Sequence, residues 1–170
     1  GDDSDRELKI VDAPFPGNDR GEHPDVRAEA VGLCTGLVAL ARAEAASEGR
    51  LRIVRTGPDV SRLLAARARG DRVTGALLSV EGLHDLEGRA ENLDRLYAAG
   101  FRMAGLIHFF DNELGGSMHG EAKGGLTEFG RAIVRRMEAR GMIVDVAHAS
   151  PAVIADVVAM ARRPVVSSHG

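Results

Sequence analysis

Gly141-Met-Ile-Val-Asp-Val-Ala-His-Ala-Ser-Pro151 holds, in eleven residues, a strand, a candidate ligand and the start of a helix. Residues 142–147 form a short apolar, β-branched run, too brief for a buried helix and typical of a buried strand. His148 follows directly. Ser150 is then a helix cap and Pro151 a first-turn proline, opening a helix over 151–162. A second apolar run, 164–168, comes next and ends at His169.

Working back along the chain, the same unit recurs. Strand 73–80 precedes a helix over 89–99 that stops at Gly100. Strand 102–107 precedes a glycine-rich loop, 111–125, and a helix over 126–140 that stops at Gly141. Strand 51–55 precedes a turn and cap at 56–59 and a helix over 60–69, closed by Gly70. Leu33, Leu37 and Leu40 mark a helix over 25–47. Before it, residues 1–21 form a polar lead-in whose one extended stretch is Leu8-Lys-Ile-Val11. Five strands in strict alternation with helices specify a parallel α/β sheet, its strand ends brought to one face by right-handed crossovers. The pattern fits either an open doubly wound sheet or part of an eight-stranded barrel. No nucleotide-binding glycine fingerprint opens any of the helices.

Four residues share one position in this rhythm. Glu81, His108, His148 and His169 each sit just past a strand, at separations of 27, 40 and 21 along the chain. In parallel sheets chemistry gathers at the carboxyl ends of the strands. A single His after a strand is ordinarily a hydrogen-bonded loop residue. Three of them with a carboxylate, in equivalent positions, point instead to a shared metal site. Imidazole plus carboxylate suits catalytic zinc, and Glu81 is the natural shared ligand if two metals are held.

Composition narrows the alternatives. The 170 residues suffice for one domain with a real core, at 44% hydrophobic and 28% charged. Aromatics at 4%, without Trp, and a net charge of -3 argue against a nucleic-acid partner. Nothing approaches the roughly 20 apolar residues of a membrane span. The single Cys34 excludes an internal disulfide and reads as buried filler, so a reducing, cytoplasmic location is the default expectation. Both ends of the chain look cut, so that default carries no statement about a leader. A homo-oligomer is left open.

Further polar candidates have plainer readings. His84 lies where it would cap the helix that follows, and His119 is a solvated loop residue that could fold over the site. Asp145 alternates with Val144 and Val146, so it faces the helix layer and is paired there. His23-Pro-Asp25 has the spacing of a metal pair, but no strand precedes it, and Asp25 is better explained as a helix cap.

From Gly75 to Gly170 the chain resembles the renal (membrane) dipeptidase family of zinc-dependent dipeptidases. The signatures are Ser79-Val-Glu-Gly82, Leu106-Ile-His-Phe-Phe-Asp-Asn112, Gly125-Leu-Thr-Glu-Phe-Gly130, Gly141 to Ser150, and Pro164-Val-Val-Ser-Ser-His169. The resemblance implies a (β/α)8 barrel of the TIM type, of which this chain covers about five βα units as a single metallo-dependent hydrolase domain. It also implies two Zn2+ ions: Glu81 bridges them, and His148 and His169 complete the second. His108 is implied to be the catalytic, substrate-binding histidine that contacts the oxyanion. The implied reaction is hydrolysis of dipeptides, L,D-dipeptides included, by metal-bound hydroxide.

The family also has a His-x-Asp pair after its first strand, and an Arg and an Asp further on. Lys9-Ile-Val-Asp-Ala-Pro14 looks like the approach to the first of these, but the pair does not follow. This chain alone is therefore expected to hold at most about one zinc. Two other classes compete with the dipeptidase: a non-catalytic fragment or pseudo-enzyme, and another metal-dependent barrel hydrolase acting on lactone, amide or phosphoester bonds.

Overall fold

The computed structural model describes residues 37–169 and, as backbone, the strand at 9–12. His23, Asp25, Cys34, most of the polar lead-in and the start of the first helix lie outside the described residues. The chain forms two compact units that meet between Leu78 and Ser79.

The first unit holds β1 (Lys9–Asp12), where the short extended stretch was read, and β2 (Leu51–Ile53). Between them, residues 37–46 are helical (α1). Glu44 Oε1 accepts the Ile53 N–H at 2.7 Å, tying α1 to β2. Helix α2 (Gly57–Ala68) begins three residues earlier than its apolar spacing suggests. The cause is a capping box at Thr56. Thr56 Oγ1 accepts the Asp59 N–H at 3.3 Å and Asp59 Oδ2 accepts the Thr56 N–H at 2.8 Å. The Thr56 hydroxyl also donates to Asp59 Oδ2 at 2.7 Å, and this bond, with the Arg55 N–H next, lowers the Asp59 carboxyl to about 2. Strand β3 (Thr74–Val80) starts here and pairs in parallel with β2, Leu51 opposite Thr74 and Ile53 opposite Ala76. Val54, Leu63, Ala66 and Val73 close a small core between them.

In the second unit the end of β3 pairs in parallel with β4 (Met103–Gly105), and β4 with β5 (Ile143–Asp145). The crossovers are α3 (Ala90–Ala99) and α4 (Glu128–Arg140), and α5 (Pro151–Met160) follows β5. Thr127 caps α4 by accepting the Gly130 N–H at 3.0 Å, and Ser150 caps α5 by accepting that of Val153 at 3.1 Å. Gly100 and Gly141 end their helices at positive φ. Leu93, Phe101, Met103, Ile133, Val134, Met137, Val153 and Val157 are fully buried between sheet and helices. Arg136 grips Asp94 with two bonds, at 3.1 and 2.6 Å, fastening α4 to α3.

Two sequence expectations are corrected. The strand read over 164–168 shrinks to a single parallel bridge between Val166 and Asp145. Pro164 has no N–H to give, and the Ser168 N–H goes to a carboxylate instead of the sheet. His84 is not the cap of α3: it lies inside a 3-10 turn, Leu83–Leu86, and the cap position of α3 is Arg89, without a side-chain bond.

Candidate metal centre

Each residue read from the strand ends arrives at the same place, in the second unit. Glu81 follows β3, His108 comes three residues past β4, His148 three past β5, and His169 three past the bridge at Val166. Glu81 Oε1 lies 3.0 Å from His148 Nε2, 3.1 Å from His169 Nε2 and 3.4 Å from His108 Nε2. His148 and His169 meet through their Nε2 atoms at 2.7 Å. The ligand atoms of Glu81, His148 and His169 all lie within 4.8 Å of one another.

The donor set fits a divalent cation such as zinc. Ligands about 2.0–2.1 Å from a tetrahedral ion stand roughly 3.3–3.5 Å apart. The three edges here, 2.7, 3.0 and 3.1 Å, are shorter by a few tenths of an ångström. Small rotations of the rings would open the triangle to that size.

His108 differs from the other two histidines. Its ring sits edge-on to His148, centroids 4.8 Å apart, and 4.3 Å from the ring of Phe109. Burial lowers its pKa from 6.5 to about 4, against the pull of the Glu81 carboxylate and with help from His148, His84 and His169.

The backbone around these rings is held by residues that sequence reasoning passed over. His148 adopts φ +62, a left-handed conformation rare for a side chain of this kind. Its carbonyl accepts the Met118 N–H at 2.8 Å. Ser117, fully buried, donates its hydroxyl to the His108 carbonyl at 2.6 Å. Asp111 in turn accepts the N–H groups of Ser117 and Ala122, at 2.7 and 2.8 Å, which lowers its pKa and folds the glycine-rich loop. Gly82 has φ +86, and a Cβ there would come 2.7 Å from the His84 ring and 2.9 Å from His108 Cβ. Only glycine fits between the two histidines.

His119 is exposed, as a loop histidine should be, yet its ring centroid is 5.8 Å from that of His148 and 5.5 Å from that of Phe109. Phe109 is half exposed beside the site. An aromatic residue directly after His108 was the available signal for it. Asp145 is buried but does not pair with the helix layer. Its Oδ1 accepts the N–H groups of Ala147 at 2.9 Å and Ser168 at 3.0 Å, because the strand ends there and leaves those donors without a ladder partner.

Parallel βα units with a Glu–His cluster at the strand ends make this an α/β protein with a candidate metal site where parallel sheets carry their chemistry. Residues 26–170 match the family model described as membrane dipeptidase (Peptidase family M19), and the chain belongs to that family. Dipeptidase aclJ of Aspergillus oryzae is 42% identical over 96 residues, covering 55% of this chain and 23% of that protein. Dipeptidase verJ of Clonostachys rogersoniana is 34% identical over 122 residues, 71% of this chain and 30% of that one. The chain thus spans less than a third of either relative. Among solved structures, the probable dipeptidase PvdM of Pseudomonas aeruginosa superposes with a TM-score of 0.77 at 23% identity, covering 88% of this chain and 39% of that one. A metallo peptidase of Rhodobacter sphaeroides, liganded with a phosphinate mimic of the dipeptide L-Ala-D-Ala, gives 0.72 at 21% identity, covering 96% and 44%. These likenesses establish the fold as the barrel type, of which this chain supplies a part. No helix among the described residues is long and apolar enough to cross a membrane.

Proposed function

We propose that this chain carries part of the active site of a zinc-dependent dipeptidase, within a single metallo-dependent hydrolase barrel domain to which residues 1–170 contribute. The observation that carries the reading is the convergence of His148 Nε2 and His169 Nε2 on Glu81 Oε1, at 3.0 and 3.1 Å. Family membership supplies the reaction class. Zinc bound there would supply Lewis-acid polarisation of the scissile carbonyl and a nucleophile drawn from water near neutral pH.

The chain's own residues have separable tasks. His148, His169 and Glu81 would hold the ion. His108, whose side chain is only 12% exposed, donates an N–H to the carbonyl oxygen as negative charge develops on it. Burial serves this role, since it keeps a hydrogen-bond donor in place without titration near neutral pH. Dipeptides, including those with a D-residue at the C-terminal position, are the proposed substrates; the phosphinate-liganded relative is in keeping with that class. The single cysteine supports a reducing, cytoplasmic setting.

The test is direct. The full-length protein, loaded with Zn2+, is assayed against L,L and L,D dipeptides, with metal content measured alongside. Hydrolysis that disappears on chelation and returns with Zn2+ supports the reading. Metal binding without hydrolysis would favour a pseudo-enzyme. Turnover of lactones or phosphoesters alone would favour another barrel hydrolase.

A further inference from the structure

We infer that Asp145 is a positioning residue for the metal centre, its buried carboxylate clamping together the two segments that present His148 and His169. The inference rests on the reading of those histidines as metal ligands. It adds a residue that touches neither ion nor substrate yet sets the distance between two ligands.

The geometry is specific. Asp145 is only 4% exposed, and a carboxylate in such a place is costly unless it is bonded. Its Oδ1 accepts two main-chain N–H groups, from Ala147 at 2.9 Å and from Ser168 at 3.0 Å. Each donor belongs to the residue immediately before a candidate ligand: Ala147 precedes His148, and Ser168 precedes His169. One oxygen atom therefore fixes the approach of both.

The sheet cannot do this work at that level. Its ladder joins the two segments through the bonds Val166 N–H to Val144 carbonyl, 3.0 Å, and Val146 N–H to Val166 carbonyl, 2.9 Å. Beyond Val166 the pairing stops, while His148 turns into its left-handed conformation. In the gap between the last ladder bond and the two rings, the Asp145 carboxylate is the link joining the segments. The rings then meet with Nε2 atoms 2.7 Å apart.

Three substitutions of the full-length protein separate this role from a plain contribution to folding. Asp145→Asn keeps an oxygen that accepts both N–H groups. Asp145→Ser keeps an oxygen near enough for Ala147 but too short to reach Ser168, and Asp145→Ala keeps neither. Metal-free protein is titrated with Zn2+ alone and with Co2+ alone, the latter followed by visible absorption, and metal-free thermal midpoints are recorded. Asp145→Ser and Asp145→Ala should weaken Co2+ binding by about 10–100-fold, the usual cost of losing a residue that orients ligands, and change the absorption spectrum. Asp145→Asn should retain the native spectrum and affinity. If Asp145→Ala does not fold, the Asn and Ser variants carry the comparison. Lowered midpoints with unchanged Co2+ affinity and spectrum in Asp145→Ser would overturn the inference and leave the ligand assignment standing. His169→Ala is the control: if it too leaves affinity and stoichiometry unchanged, the assignment itself falls.

Discussion

The Ser117 hydroxyl donates to the main-chain carbonyl of His108 at 2.6 Å, so the glycine-rich loop after β4 folds back onto a residue just before it. The same loop reaches His148, whose carbonyl accepts the Met118 N–H. The loop is thus the scaffold of two histidines that come from different strands. Because Ser117 is fully buried, its removal leaves the His108 carbonyl without this donor in a dry setting. Ser117→Ala should cost about 1–3 kcal/mol of stability. Denaturant unfolding of the full-length protein measures it, and a loss below a few tenths of a kcal/mol would remove Ser117 from the scaffold.

Removal of a ligand should act on the metal before the chemistry. His148→Ala, His169→Ala and Glu81→Gln are each expected to lower Zn2+ affinity by more than the roughly 10–100-fold typical of outer residues. Equilibrium dialysis with elemental analysis gives the answer. Full retention of metal in any of the three would strike that residue from the ligand set.

His108→Ala should behave in the opposite way. Metal content is expected to stay native while kcat falls by about 10²–10³, as when a single oxyanion donor is lost. A variant with native turnover would leave His108 with a packing role only.

The pH dependence of the metal-free protein follows from His108. Its folded pKa, about 4, lies below the ordinary 6.5, so between these values the unfolded chain binds more protons than the folded one. The contribution to stability is full above pH 6.5 and is lost as pH falls from 6.5 through 4. In proton NMR of the metal-free protein, the His108 ring should show no titration between pH 6 and 8. A His108 midpoint near 6.5 would contradict the burial argument.

The capping box of α2 offers a test away from the site. Thr56→Ala should cost about 1 kcal/mol, since it removes both the oxygen that accepts the Asp59 N–H and a hydroxyl bonded to Asp59. The thermal midpoint of the full-length protein should fall accordingly.

The order of elements and the convergence of Glu81, His108, His148 and His169 were legible in the chain because both depend on local chemistry. Alternating apolar runs, glycine stops at Gly100 and Gly141, and the Ser150-Pro151 helix start each act within a few residues. Glu81, His108, His148 and His169 could be grouped because a parallel sheet brings equivalent strand ends to one face. What the chain did not disclose are relationships between segments far apart in sequence. Residues 164–168 look as strand-like as any, yet the carboxylate of Asp145, 23 positions earlier, takes the Ser168 N–H and stops the ladder. Asp145 itself alternates correctly for a helix-facing side chain, but the donors it meets exist only once two strands end together. Ser117 and Asp111 are ordinary loop residues by composition; their importance comes from a fold that returns the loop to His108 and His148. Periodicity and turn chemistry determine which elements form. Which polar groups satisfy one another where those elements end is decided only in three dimensions, since a buried donor or acceptor takes whichever partner the packing brings within reach.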